Sequence, residues 1–396
     1  MPLLSAMSKA KQTATALKRY RLTARGRVQG VGFRPTFYRA LTDRGCAGSI
    51  RNTPEGAVLE VEASEDVLRE IVRDFREIAP ARARVDELIV EEIEPRGEHG
   101  FTIERSAADG RSLLPIPPDL ATCDECRAEL GAAGCRRHAY PFNTCTACGP
   151  RFSIALGVPF DRATNAMNEF PPCPACAREY SDPADRRLHA QTLSCAECGP
   201  SLTFLTPQGE ELDDPLETTR RMLKDGRLMA IKGIGGFHLA CDATRQDVVS
   251  LIRERKQRPA KPFAIMVPDL ATCERICIVS EFEKRLLTSP QAPIVLLKKR
   301  ADCFIADAVA PGLADLGVML PYTPLHVMLL EGHMPPALVM TSCNRSEEPI
   351  AIAHEHVLSE LSDLVDGILT HNRRITNRCD DSVVATLGQR VLPMRR

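Results

Sequence analysis

Eight cysteines between Cys123 and Cys198 fall as four C-x2-C pairs: Cys123/Cys126, Cys145/Cys148, Cys173/Cys176 and Cys195/Cys198. The intervals between pairs are 18, 24 and 18 residues, so the two halves superimpose at a shift of 50 residues. The same shift aligns Glu129 with Glu179, Arg136-Arg137 with Arg186-Arg187, and Gly149-Pro150 with Gly199-Pro200. One C-x2-C turn presents two thiolates to an ion, and two turns close a tetrahedral site. The stretch is therefore expected to fold around two structural zinc ions, with eight thiolates filling both sites and no position left open for water. The repeat favours pairing the first turn with the second and the third with the fourth, although interleaved pairing satisfies the same spacing. Four redox-active dithiols are the alternative, but no strand-to-helix context accompanies them. Cys135 and His138 also lie inside the first finger, where the four-cysteine set is complete without them.

Composition narrows the function classes. With 51 basic and 52 acidic residues, nothing global argues for nucleic acid. Within the fingers, Arg136, Arg137, Arg186 and Arg187 are few among interleaved acids, so a nucleic-acid partner is not expected. A length of 396 residues implies two to four domains. No apolar run approaches the ~20 residues of a membrane span. The best candidate, residues 318–330, holds two prolines and a histidine, so no membrane association is expected. Residues 1–19 lack a sustained apolar core and a small-residue cleavage site, and read as a disordered leader. The remaining eight cysteines show no framework spacing, which places the chain in a reducing compartment, the cytoplasm.

Residues 20–105 read as a strand (21–28), a helix from Phe33 stopped by Gly45, a hairpin (49–52 and 57–63), a second amphipathic helix (64–78) and final strand material (88–94 and 101–103). That order, βαββαβ, belongs to a ferredoxin-like α+β sandwich. Between the first strand and helix, Gln29, Gly30, Val31, Gly32 and Phe33 form a glycine-bearing loop whose backbone N–H groups suit a phosphate, with Arg34 to grip two of its oxygens. Asn52 is placed to orient a water in line with phosphorus. The run GRVQGVGFRP (26–35), with Gly48-x-x-x-Asn52, resembles the acylphosphatase signature. The resemblance implies that Arg34 binds phosphate and Asn52 orients the attacking water. Ser49 and Ile50 depart from the residues usual before that Asn, which implies weak free acylphosphatase activity.

Residues 106–119 form a proline-bearing linker, 120–205 the double zinc-finger module, and 206–396 an α/β domain. Residues 152–172, between the repeats, read as structure packing the fingers together. Beyond them, helices are expected over 216–224 and 244–256, with strands over 228–232, 263–267, 293–297, 338–341, 367–371 and 382–386. Ser280-x-x-Glu283 is a capping box, and Thr323-Pro324 opens a further helix. Four polar clusters interrupt this scaffold. Lys232 precedes a loop over residues 233–238, with three glycines in four positions, which leads to the helix expected over 244–256. Arg255, Lys256, Arg258 and Lys261 stand just before a strand. Ser342 and Asn344 stand at a strand end, where α/β sheets bind ligands, and Asp380 and Asp381 lie near the C-terminus. Cations with backbone amides suit a triphosphate; no Walker sequence is present, so a P-loop ATPase is excluded. The runs 256–263 (KQRPAKPF) and 341–349 (TSCNRSEEP) resemble the KxRPxKPF and TSxNxSxEP motifs of the YrdC-like family, which makes acyl-adenylates of the carbamoyl type.

The combined order, covering about residues 20–396, resembles the HypF family of carbamoyltransferases in nickel–iron hydrogenase maturation. The resemblance implies cleavage of carbamoyl phosphate by the first domain and adenylation of the released carbamate by ATP with Mg2+ in the last. Lys232, Arg255, Lys256, Arg258 and Lys261 would neutralise triphosphate charge. Ser342 and Asn344 would position nucleotide or carbamate, and Asp380 or Asp381 would hold magnesium. The zinc module would orient the domains. In that family a further kinase-like domain passes the carbamoyl group to the C-terminal cysteine of HypE, the partner in supplying cyanide ligands. This sequence stops about where that domain begins, so a truncated or split form is expected, needing a separate subunit to complete transfer. A relative of the tRNA threonylcarbamoyl-adenylate synthases and a non-catalytic maturation scaffold are the alternatives.

Overall fold

The computed structural model describes residues 17–106, 116–345 and 348–395. The expected leader, apart from its last three residues, and most of the expected linker lie outside them. The chain divides into two compact units, residues 1–115 and 116–396.

The first unit runs β1 (Leu17–Arg27), α1 (Phe33–Asp43), β2 (Ala47–Thr53), β3 (Gly56–Ser64), α2 (Glu65–Ile78), β4 (Arg84–Ile93) and β5 (Phe101–Ile103). Its sheet order is β4-β1-β3-β2-β5, antiparallel except for β2 with β5. This is the ferredoxin-like sandwich. Helix α2 opens on Glu65 and Asp66 and closes with Arg76, charges that suit both ends of its dipole. The core is aromatic: Phe37 sits 4.6 Å from both Phe33 and Phe75, ring centre to ring centre. Strand β1 begins earlier than expected, because Arg19 is drawn in to pair with Glu60 at 2.8 Å and Glu98 at 3.0 Å.

The second unit begins with the fingers. Helices α3 (Asp124–Gly131) and α4 (Pro174–Ser181) each start directly after a ligand cysteine, Cys123 and Cys173 serving as N-caps. Residues 152–172 make three short 3-10 turns around Ile154, Phe160, Ala166 and Met167. The fingers are built into the following sheet layer. Thr122 N–H donates to the Tyr322 carbonyl at 3.0 Å, Arg127 to that of Pro321 at 2.9 Å, and the Asn377 amide to those of Phe152 and Ala155 at 2.8 Å.

The sheet contains β6 (Leu202–Leu205), β7 (Glu211–Leu212), β8 (Met229–Lys232), β9 (Phe237–Asp242), β10 (Ala264–Met266), β11 (Cys277–Ile278), β12 (Ile294–Lys299), β13 (Asp315–Met319), β14 (Leu338–Ser342), β15 (Gly367–His371), β16 (Val383–Leu387) and β17 (Arg390–Arg395). Their order is β17-β16-β12-β13-β10-β14-β9-β8-β15-β6-β7, with β11 on β12. Three pairs are parallel, β10 with β13, β12 with β16 and β8 with β15. Two apolar layers cover its faces, and helices α5 (Pro215–Lys224), α6 (Gln246–Arg255), α7 (Leu270–Ile276), α8 (Glu281–Leu287), α9 (Pro324–Leu329) and α10 (His354–Glu360) complete the α/β architecture. Ser280 and Glu283 cap α8 reciprocally, and the Thr323 hydroxyl accepts from His326 N–H at the start of α9.

Among the described residues, six strands of this sheet, β6, β7, β9, β11, β13 and β17, have no counterpart in the sequence expectation, and β9 and β13 lie nearest the cleft motifs. The glycine run after Lys232 does not lead through a loop into a helix. It closes a tight hairpin, Gly233 N–H donating to the Gly236 carbonyl at 2.8 Å, and the chain returns as β9. A Cβ on Gly235 would stand 2.3 Å from the Cys379 carbonyl oxygen, and one on Gly236 2.6 Å from Ile350, so these glycines serve close packing. Strand β13 was not expected at all. Gly317 interrupts its apolar pattern because the Ile294 side chain occupies the space beside it. Among the described residues, no helix is long and apolar enough to cross a membrane.

Candidate functional site

The eight cysteines resolve into Cys123–Cys126–Cys145–Cys148 and Cys173–Cys176–Cys195–Cys198, the sulfurs of each set lying within 4.8 Å of one another. The first turn pairs with the second and the third with the fourth. Neighbouring sulfurs stand 3.6–3.8 Å apart in both clusters. A tetrahedron with metal–sulfur bonds of ~2.3 Å has edges of ~3.8 Å, so both sets fit zinc without rearrangement. Neither Cys135 nor His138 joins them.

The basic pairs of the repeat reach across to the opposite cluster. Arg186 donates from both terminal nitrogens to Cys126 Sγ at 3.4 Å, and Arg136 does the same to Cys176 Sγ. Arg187 pairs with Glu129 and Arg137 with Glu179. Arg187 Nε also donates to the Thr144 carbonyl at 3.1 Å, and Arg137 Nε to that of Ser194 at 2.9 Å. Four-thiolate zinc carries excess negative charge, which these guanidinium groups offset while locking the two fingers together. Burial raises the cost of ionising Glu129, yet Arg187 and Arg186 hold its pKa down to about 2.

In the first unit, Gly30 and Gly32 take φ of 65° and 82°, a left-handed backbone that turns the loop into α1. Gln29 secures the loop by donating to the carbonyls of Thr53 at 2.8 Å and Gly56 at 2.9 Å. Val31 and Phe33 pack inward. Arg34 stands in the first turn of α1, buried, with a 3.2 Å bond to the Ser106 hydroxyl. Asn52 lies on β2, 1% exposed, and among the described residues its Oδ1 has no hydrogen-bond partner. A buried acceptor left open this way is costly unless a ligand or water completes it.

In the second unit, a cleft of about 920 Å³ opens over β14. It gathers Lys256, Arg258, Lys261, Ser342, Asn344, Asp380 and Asp381 from three separate segments. Lys256 Nζ is buried and donates to the Ser342 carbonyl at 2.6 Å, the Asn344 carbonyl at 2.8 Å and Asn344 Oδ1 at 2.6 Å. It thereby fixes the strand end, and burial pulls its pKa to about 8. Arg258 follows Gln257, whose φ of 51° swings the chain back, and donates to the Thr341 hydroxyl at 3.4 Å. Burial lowers its pKa to about 10. Lys232 and Arg255 stand outside this cleft. Arg255 pairs with Asp366 at 3.1 Å, and Lys232 Nζ bonds the His371 carbonyl at 2.9 Å.

Sequence reasoning passed over His238, which lines the cleft and holds Asp381 by a 3.0 Å contact between Nε2 and Oδ2. Burial alone would push the Asp381 carboxyl up, but His238 and Tyr322 keep it below the usual range. Behind them His326 is wholly buried, neither ring nitrogen has a partner among the described residues, and burial lowers its pKa to about 3, so it is neutral. His238 lay inside the misread glycine loop, so nothing local marked it as cleft-facing.

Comparison with known proteins follows this order of parts. The acylphosphatase family model matches residues 20–103, the HypF finger model residues 122–155 and 173–205, and the telomere recombination model (Sua5, YciO and YrdC) residues 221–396. A crystal structure of full-length HypF in the phosphate- and nucleotide-bound form superposes with a TM-score of 0.92 at 42% identity, covering 96% of this chain and 50% of that one. The chain belongs to the HypF family. Carbamoyltransferase HypF of Rhodobacter capsulatus is 45% identical over 372 residues, 93% of this chain and 49% of the relative. That of Synechocystis sp. is 40% identical over 383 residues, 96% of this chain and 50% of the relative. HypF from T. kodakarensis superposes with a TM-score of 0.88 at 41% identity, over 96% of this chain and 49% of that chain. The chain spans about half the length of the curated HypF relatives it matches.

Proposed function

We propose that this chain converts carbamoyl phosphate and ATP into carbamoyl-adenylate, for eventual carbamoyl transfer to the C-terminal cysteine of a HypE-type partner in the cytoplasm, the route to the cyanide ligands of nickel–iron hydrogenase. The observation that carries this reading is the convergence of Lys256, Arg258, Lys261, Ser342, Asn344, Asp380 and Asp381 on one cleft. In the first unit, Arg34 and the amides of residues 29–33 hold the phosphoryl group. The open Asn52 Oδ1 accepts a hydrogen from the water that attacks it, releasing phosphate and carbamate. In the cleft, a carbamate oxygen attacks the α-phosphorus of ATP, and pyrophosphate leaves. Arg258 and Lys261 stabilise its charge, and Asp380 and Asp381 hold Mg2+. Lys256 acts at the same place by holding Ser342 and Asn344 against the nucleotide.

Mass spectrometry of a quenched reaction tests this reading. Carbamoyl-AMP formed from carbamoyl phosphate and ATP is the expected product. Threonylcarbamoyl-AMP formed from bicarbonate, threonine and ATP would instead assign the chain to tRNA modification. Neither product, from folded and zinc-loaded protein, would leave a scaffold.

A further inference from the structure

At the seam between the fingers and the sheet lies a second cavity, which shares no lining residue with the nucleotide cleft. Strands β8 and β15 run parallel here, Leu369 opposite Ile231, so both deliver their C-terminal ends to one place. Lys232 arrives from the first, and His371 and Arg373 from the second. Phe142 and Thr144 of the fingers close the other side.

Among the described residues, neither cation of this cavity has a direct ion pair with a carboxylate. Lys232 is 5% exposed and Arg373 7% exposed. Arg373 stacks over Phe142, 5.2 Å from the ring centre, while its Nε has no hydrogen-bond partner among the described residues. Among the described residues no carboxylate pairs with its guanidinium. Asp119 lies near enough to act on Arg373 through space, but its Oδ1 accepts from Arg151 and Ser153 instead. Among the described residues, Lys232 Nζ has a single acceptor, the His371 carbonyl. Burial, followed by the mutual repulsion of the two cations, pulls Lys232 to about 8. Burial takes Arg373 to about 10. Two buried cations that no described carboxylate contacts directly, with Asp119 and Glu355 acting on them only through space, are costly to maintain. A planar guanidinium with open donors matches two oxygens on one carbon.

We propose that this cavity binds a small, singly charged oxyanion of carboxylate shape, the class that includes formate, bicarbonate and carbamate. Arg373 grips two oxygens and Lys232 adds a third contact. The space, about 20 Å³, takes a few atoms and excludes a nucleotide or a phosphate ester. The proposal does not depend on the carbamoyl-adenylating reading, since the cations and the size of the cavity select the ligand by themselves.

Binding of 13C-formate to the zinc-loaded chain, followed by carbon NMR line width, and thermal melting at constant ionic strength test it. Formate and bicarbonate are expected to raise the melting temperature saturably, by a few degrees beyond chloride, and formate to broaden on binding. Both effects should vanish in Lys232→Met and Arg373→Gln. Should Arg373→Gln fail to fold, Lys232→Met with the line-width measurement decides. Unchanged binding in a folded variant, no binding to the wild-type chain, or equal stabilisation by phosphate would overturn the proposal. Carbamoyl-AMP formation is a separate readout, so either reading can fail without the other.

Discussion

Arg186, in the second zinc repeat, holds Cys126 of the first, with both terminal nitrogens 3.4 Å from its Sγ. Arg136 returns the contact to Cys176. Each cluster is therefore completed by the repeat that does not ligate it. Removing a group that hydrogen-bonds a metal ligand typically costs roughly 10- to 100-fold in affinity. Arg186→Ala should speed zinc loss from the first cluster, read with a chromophoric chelator, while the second cluster keeps its rate. Equal release of both ions in wild type and variant would show that the cross-contact does not matter.

Asn52 offers a buried acceptor without a partner among the described residues. Asn52→Ala should lower phosphate release from carbamoyl phosphate by about 100-fold, because the attacking water loses its orientation. Its melting temperature should hold or rise, since the variant no longer buries an open carbonyl, a group costing about 1–3 kcal/mol. A large loss of stability would mean that the carboxamide is a structural element.

The four cations between 255 and 261 separate by function. Arg255, paired with Asp366 in a partly buried bridge, should cost about 1 kcal/mol or less when changed to Ala, with ATP affinity intact. Arg258→Ala should weaken ATP binding by tenfold or more. Calorimetric titration and thermal melting on both variants check the contrast.

Lys256 sits at about 8, below its ordinary 10.5, because burial disfavours its charge, with Arg258 and Lys261 adding to the effect. Folding thus prefers the neutral amine. The destabilisation is fully present below pH 8 and is relieved as pH rises towards 10.5. A bound triphosphate reverses the preference and favours the ammonium form. At a pH just above 8, ATP binding should take up a fraction of a proton, measured by calorimetry in buffers of different ionisation heat. Uptake should vanish in Lys256→Met.

The cysteine clusters and the glycine loop before α1 were legible because their chemistry is local: spacing fixes which turns offer thiolates, and Gly30 and Gly32 fix a left-handed bend beside Arg34. The repeat also favoured the observed pairing of turns, although spacing alone allowed both. What was not legible was the part played by Arg136 and Arg186, which emerges only when the two repeats face each other. Strands β9 and β13 were hidden by Gly235, Gly236 and Gly317, residues selected for close packing where a strand pattern would have side chains. Side-chain direction was the remaining gap. Lys232 and Arg255 have the right charge near the right motifs, but a strand end and a helix face turn them elsewhere. Gln257, with its left-handed backbone, is what brings Arg258 into the cleft.

The central claim is that two separated sites act on one carbamoyl group. Its most direct test is pyrophosphate release from ATP and magnesium, with and without carbamoyl phosphate, in the wild type beside Arg34→Ala and Lys261→Ala. Release that requires carbamoyl phosphate and is lost in both variants is the predicted result. Release that persists without carbamoyl phosphate, or survives Arg34→Ala, would contradict it.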